Sequence, residues 1–548
     1  MLKFFVHRDG KPADGWPLAH AGILATDGAT SPGEIRIDHG VLTVAPNNSG
    51  TVSLEILFPL DVGQGDSKAE RKALLTTTLL PQRERPYLLS LELARKQLMR
   101  FLNALEEWNL AMLPAEHAAL QTFERAREDF SAALVSWRSL QNGDLSADDP
   151  AIAAADGKSR RALSDALEAC ELLVAEAVGR GMAARADGSW FNDAVERAER
   201  SIGRPASKPI AVVKAPEAHG VTLVGVARIG CAVDPMSFEV PAQAALAKAA
   251  DFVTVPMPWS AIEPAEGKYQ YAATDRWIEW AVRKGKLPVV AGPVLDLAPG
   301  RLPEWLFIWE NDYDTLRELV YEHVRQVVTR YRRTVQWWTL ASSLGVEGAL
   351  FLRFEQIADL LRIAATVTRK LQPQGRVQVE IADPFALYAA RSNKSLPPLL
   401  LAELFAQSGT HVDAIGLRFD MTNDGAAAAV RDAMAFSEVL DKYAEMDRPI
   451  SVTFAACPSS PVDADGESGE WNGPWSQATQ ADWIERVLPV AAAKPYVHSI
   501  CWGLAQDTPR TKGGAGLVDA AGAARPALDA LVCLRDAVRA GNTTGPSR

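Results

Sequence analysis

Eight short apolar runs recur in the second half of the chain, each separated from the next by a stretch with helical spacing. They cover 222–227, 252–257, 287–291, 335–340, 377–382, 414–419, 450–454 and 498–504. Runs of this length, apolar on both faces, are what strands buried in a parallel sheet require. The stretch before the fourth run illustrates the connections. From a start near Asp314, Leu316, Leu319, His323, Val327 and Tyr331 fall on one helical face, and a basic turn at 330–333 ends the helix. Strand–helix alternation repeated eight times predicts a TIM (β/α)8 barrel over 220–540, with any chemistry at the carboxyl ends of the strands.

The first part of the chain has other periods. Residues 1–86 read as a β-rich N-terminal domain. There 34–44 forms a hairpin around Asp38-His39-Gly40, and Val52, Leu54 and Ile56 alternate with polar neighbours as a half-buried strand. From 87 to 202 the period becomes helical. Leu91, Ala94, Leu98 and Phe101 begin one stripe; Leu120, Phe123, Phe130 and Trp137 mark a second, restarted at Pro114; Leu163, Leu167, Cys170 and Val174 mark a third, loosened by Gly179 and Gly181. A short fourth helix is expected over 191–200. Such stripes need a partner, either one another and the sheet or a second subunit through a dimerising arm. Residues 203–219 read as a linker and 541–548 as a disordered tail. The fold class is therefore multidomain α/β, a C-terminal barrel preceded by a β-rich domain and a helical segment.

Composition narrows the partners. The chain has 548 residues, 48% of them hydrophobic, and a formal charge of −11, which argues against nucleic acid or an anionic membrane. No apolar run approaches the ~20 residues of a membrane span, and the first residues meet charge too early for a secretory signal, so a cytoplasmic address is expected. Cys170, Cys231, Cys457, Cys501 and Cys533 are scattered without a CxxC pair and are expected to be buried free thiols. His7, His20 and His39 are spaced too irregularly for a metal site, and no Walker, dinucleotide or zinc signature is present, so no cofactor is expected.

The barrel half resembles glycoside hydrolase family 10, the xylanase family, in several separate motifs. The stretch 252–271 keeps Met257, Trp259, Pro264, Gly267 and Tyr269 of the second-strand signature. Leu302-Pro303-Glu304-Trp305-Leu306 matches the end of the third segment. Around the fourth strand His323, Val327, Arg330-Tyr331, Val335 and Trp337 keep their places, and Cys501-Trp502-Gly503-Leu504 resembles the eighth. The resemblance implies a sugar-binding mouth and two glutamates there, an acid/base after strand four and a nucleophile on strand seven. In this sequence Ser342 and Phe454 occupy those two positions. Retaining hydrolysis needs two carboxyl groups about 5–5.5 Å apart, and neither Ser342 nor Phe454 can supply one.

Other residues could still carry chemistry. Asp383, after the fifth strand, and Asp420, at the end of the sixth, are the candidates for a relocated catalytic pair; helix capping and ion pairing are the alternative roles. Asp296, Glu347 and Asp507 lie at other strand ends. Arg418, where the family has Gln, would favour an acidic sugar or else pair with a carboxylate. Trp259, Trp337, Trp471, Trp475 and Trp502 are candidate stacking surfaces for sugar rings, with Trp337 and Trp502 expected at the same barrel mouth. Three functions follow: a divergent family-10 barrel that binds a poly- or oligosaccharide without the two-glutamate mechanism, a glycosidase with relocated carboxylates, or an assembly protein whose helical segment makes a homo-oligomer.

Overall fold

In the computed structural model, Arg228–Ala232 (β1), Phe252–Val255 (β2), Val289–Ala291 (β3), Trp337–Ser342 (β4), Arg376–Ile381 (β5), Ala414–Asp420 (β6), Ile450–Ala456 (β7) and Val497–Trp502 (β8) pair in parallel. Pairing of β3 with β4 and of β8 with β1 closes the sheet into an eight-stranded barrel. The structure describes all residues except 27, 63–68, 142, 144, 188–226, 347–349, 351, 387–394, 408–411, 423–428, 447, 463–468, 510 and 541–548. The expected linker, fourth helix and tail, and Glu347, lie outside the described residues.

The first barrel strand differs from the expectation. It begins at Arg228, one residue after the run 222–227 assigned to it; of that run only Ala227 is described. The sequence of β1, Arg-Ile-Gly-Cys-Ala, is less apolar than the run before it. Gly230 in its middle pairs with both Phe252 and Cys501 of its two neighbours.

Register shifts along the sheet help decide which side chains enter the lumen, and those beside β4 and β6 bear on the site. Between β4 and β5 the register slips past Leu340, so Thr339 pairs with Gln378 but Ala341 with Val379. Between β6 and β7 it slips past Thr453, which sets Arg418 opposite Phe454. A bulge inserts one residue and re-aims the side chains that follow.

Among the described residues the N-terminal region holds two four-stranded sheets and a short hairpin. The predicted hairpin is present, with Gly33–Asp38 paired to Val41–Pro46; His39 and Gly40 take positive φ of 38° and 72°, as a two-residue turn requires. The strand Ser53–Val62 is not half-buried as its alternation implied. Leu54, Ile56 and Phe58 enter the N-terminal core, while Leu57 packs with Leu74 and Ala429 of the barrel half, so both faces are covered.

Among the described residues the helical segment forms three helices, Leu89–Glu107 (α1), Ala118–Leu140 (α2) and Pro150–Asp187 (α3). Its stripes face one another, the N-terminal sheet and the barrel. His117, not Pro114, stands at the start of α2, its ring Nδ1 accepting from the Ala119 amide. Nor does α3 end at its glycines. At Gly181 a side chain would lie 2.9 Å from Ala493, so the glycine lets α3 run against the barrel helix Gln477–Ala493 (α5).

Buried ion pairs fasten the two halves. Arg100 of α1 donates to Asp432 at 2.9 and 3.1 Å and to Glu438 at 2.8 and 3.0 Å, at the start of the barrel helix Ala433–Ala444 (α4). Glu171 of α3 accepts from Arg71 at 3.0 Å and from the Ala433 amide at 3.1 Å. Glu55 pairs with Arg431 at 3.2 Å. Such pairing offsets the cost of burying charge only in part: burial raises the Glu55 carboxyl above its ordinary value despite Arg431.

Candidate functional site

The barrel lumen is lined by alternate residues of its strands, and those positions are small or polar. Thr254, Thr339, Gln378, Glu380, Ser451 and Thr453 face a cavity of about 490 Å³. Barrel interiors are usually filled by layers of branched apolar side chains. Here polar residues are interleaved with apolar ones: Ala232, Phe252 and Cys501, with Val290 against them, form a small cluster separate from the main core. One wall, from β1, β2, β3 and β8, is thus mainly apolar, and the facing wall, from β4 to β7, is polar.

At the carboxyl end of the barrel the bulge in β4 turns Ser342 beside β5. Its hydroxyl donates to Glu380 Oε1 at 2.6 Å, and both residues are buried. Arg418 lies 4.0 Å from Glu380 and donates to Asp420 at 2.9 Å. Burial pulls the Arg418 guanidinium down, but Asp420 and Glu380 outweigh it and hold it above its ordinary value. The same guanidinium lies 3.8 Å from the centre of the Phe454 ring. That ring also packs against Gly503, where a side chain would come within 2.5 Å of it. Ser342 is therefore tied to the wall, and Phe454 is packed against a cation and a glycine.

Asp420 lines the cavity, paired with Arg418 and accepting from the Thr422 amide and hydroxyl at 3.1 and 2.6 Å. Asp383 does not line it. Its Oδ1 accepts from the Phe385 amide at 3.1 Å, and its charge is felt by Glu55 of the N-terminal region. The two candidates for a relocated pair are thus not brought together in the cavity: Asp383 follows the end of β5, where the chain has turned outward. Asp296 reaches the mouth and lies 3.7 Å from Arg301, whereas Asp507 is buried, accepting from the Ala515 and Gly516 amides and pairing with Arg525.

Most of the candidate tryptophans are enclosed. Trp259 donates to Glu263 at 2.7 Å and stacks on His323 with centroids 4.2 Å apart. Trp471 is fully buried, donating to Asp482 at 2.7 Å under the Arg71 guanidinium, and Trp475 is 6% exposed. Trp502 is fully buried, with its N–H on the Ala515 carbonyl at 2.9 Å. Trp337 does line the cavity, but not at the expected mouth. As the first residue of β4 it lies at the amino end of the barrel, its ring 4.7 Å from that of His498. A strand rises about 3.3 Å per residue, so the two ends of β4 are far apart.

Glu380 was not among the residues singled out from the sequence. The signal was present: Gln378 and Glu380 alternate inside a run expected to be buried on both faces, and polar residues at such positions must point into a lumen or find partners. Burial also perturbs the lumen's titratable groups. The Cys501 thiol is pushed up to about 12 by burial, against a hydrogen bond to Thr254, and the His498 imidazole is pulled down to about 4 by burial, with Arg228 adding to the effect.

A closed (β/α)8 barrel with a cavity that reaches its carboxyl end and carries Glu380 and Asp420 on its wall is of the TIM-barrel class. The family model for glycosyl hydrolase family 10 matches residues 221–533, more than half of the chain, and the chain belongs to that family. Endo-1,4-beta-xylanase 3 of Hypocrea jecorina is 24% identical over 179 residues, 32% of this chain and 49% of that protein. Endo-1,4-beta-xylanase B of Humicola insolens is 22% identical over 171 residues, 30% of this chain and 44% of that protein. The chain thus spans about half the length of the curated relatives it matches. Among solved structures, xylanase 10B of Thermotoga petrophila in complex with xylobiose aligns at 16% identity and a TM-score of 0.44, over 59% of this chain and 99% of that one. A family-10 structure from Paenibacillus barcinonensis aligns at 18% and 0.43, over 56% and 95%.

Proposed function

We propose that this chain binds a β-linked saccharide in its barrel cavity and does not hydrolyse it by the two-glutamate mechanism. The observation that carries the reading is the pair Ser342 and Phe454, at the positions where the family motifs lead to the acid/base and the nucleophile. One is an alcohol tied to Glu380; the other is a ring packed against Arg418 and Gly503. Neither offers the carboxyl group that a glycosyl intermediate needs. The cavity that would receive the sugar is retained, with hydroxyls, an amide, carboxylates and a guanidinium on its walls. The curated relatives are endo-1,4-beta-xylanases, so β-1,4-linked xylose chains are the first ligands to try. Calorimetric titration of the full chain with xylo-oligosaccharides, together with an assay for released reducing ends, tests the proposal. Binding without release is expected; release at rates typical of enzymes overturns it.

One observation favours a second reading, an enzyme with relocated carboxylates. Glu380 brings a carboxylate from β5 to within 2.6 Å of Ser342 Oγ, close to where a glutamate at 342 would place its own. Against it, Arg418 contacts both Glu380 and Asp420, so this pair shares a cation instead of facing a sugar carbon. Glu380→Gln abolishing a measured hydrolysis would support the second reading over the first.

A further inference from the structure

The cavity is not confined to the mouth. Its lining includes Arg228, Gln336, Trp337 and His498 at the amino ends of the strands as well as Asp296 and Asp420 at the carboxyl ends, so it extends along the barrel axis. About 490 Å³ lies within the ~300–1,000 Å³ range of ligand sites. Two buried acceptor or donor atoms in the lower half are without a hydrogen-bond partner among the described residues. Gln378 is 2% exposed; its Nε2 donates to Thr339 Oγ1 at 2.9 Å, while its Oε1 is unpaired. His498 Nε2, beside the Trp337 ring, is likewise buried and unpaired. A buried polar atom without a partner is costly, and a hydroxylated guest in the lumen would relieve that cost.

We propose that the lumen takes the terminal ring of a saccharide end-on, along the barrel axis, in place of a chain lying across the mouth. This rests on the saccharide-binding reading above and names the part of the ligand recognised. The lumen has the two-sided character that a pyranose needs. Phe252, Val290 and Ala232 offer an apolar wall for its C–H face, and Trp337 a ring toward the bottom. Gln378 Oε1 accepts a sugar hydroxyl, His498 Nε2 meets another, and Ser451 and Thr453 line the same polar side. A saccharide bound in this way presents one end to the protein, so affinity is set by the terminal units and the rest of the chain projects from the mouth.

The test compares xylobiose, xylohexaose and xylan from which the terminal residues have been blocked at both ends, titrated into the full chain. Xylobiose and xylohexaose should bind one per chain with affinities within about threefold, and the blocked polymer should not bind. Gln378→Leu should weaken the two oligosaccharides by about tenfold, the loss of roughly one net hydrogen bond. A readout in the unaltered chain covers the case where this variant fails to fold: the ring proton signal of His498, assigned with His498→Gln, should shift on saturation with xylobiose. Affinity that climbs with chain length, binding of the blocked polymer, or a His498 signal unmoved at saturation would overturn end-on binding while leaving saccharide binding intact. Failure of every saccharide to bind would remove both this inference and the reading beneath it.

Discussion

The Ser342 hydroxyl donates a 2.6 Å hydrogen bond to Glu380 Oε1 and ties the carboxyl ends of two neighbouring barrel strands together. A hydrogen bond to a charged group contributes about 1.5–3 kcal/mol, and removing the donor leaves a buried carboxylate short of a partner. Ser342→Ala should lower unfolding free energy by that amount in denaturant titrations. Ser342→Glu should not create a xylanase, because it would set a second carboxylate against Glu380 and leave Phe454 in place; unchanged reducing-end release checks this.

Arg100 holds the helical segment to the barrel. Its guanidinium bridges Asp432, which is 2% exposed at the side chain, and the more exposed Glu438. Removing one partner of a buried pair leaves an uncompensated charge and costs about 3–5 kcal/mol. Arg100→Ala should show that loss in chemical unfolding, whereas Arg127→Ala, whose ion pair with Glu124 is exposed and screened by solvent, should leave the unfolding midpoint unchanged.

Trp471 and Trp475 were expected to stack on sugar, yet both are enclosed, Trp471 beneath Arg71 with its N–H on Asp482. Trp471→Ala should therefore act on stability, costing about 3–5 kcal/mol. Saccharide affinity of the remaining folded protein should be unchanged; a selective loss of affinity at full stability would return this tryptophan to the binding surface.

Acid should weaken the fold through its buried histidines. His498 is pulled down to about 4 and His323 is also lowered, in both cases chiefly by burial. The unfolded chain, with histidines near 6.5, then binds protons that the folded chain refuses, so stability is greatest above 6.5 and falls as the pH drops toward 4. His498→Gln should flatten part of that decline in thermal melts recorded from pH 7.5 to 4.

The thiols divide four to one. Cys170, Cys231, Cys457 and Cys501 are buried, and Cys533, contrary to the expectation of burial, is exposed on the last helix. An aromatic disulfide reagent at pH 8 should titrate one thiol in the native chain and five after denaturation. Burial raises all four enclosed thiols, Cys501 to about 12, which keeps them protonated and unreactive.

What the sequence determined by itself is whatever depends on local period and on side-chain identity. Apolar runs spaced by helical stripes were enough for the barrel, and Asp38-His39-Gly40 for the hairpin. Tertiary structure decided the quantities that depend on register and on which end of a strand a residue occupies. A slip of one residue at Leu340 aims Ser342 at Glu380, and another at Thr453 sets Phe454 against Arg418. The position of Trp337 at the start of β4 sent it to the far end of the lumen. Strand side chains alternate with period two, so a single-residue slip reverses which side chains face the cavity, and it is settled only by the neighbouring strands.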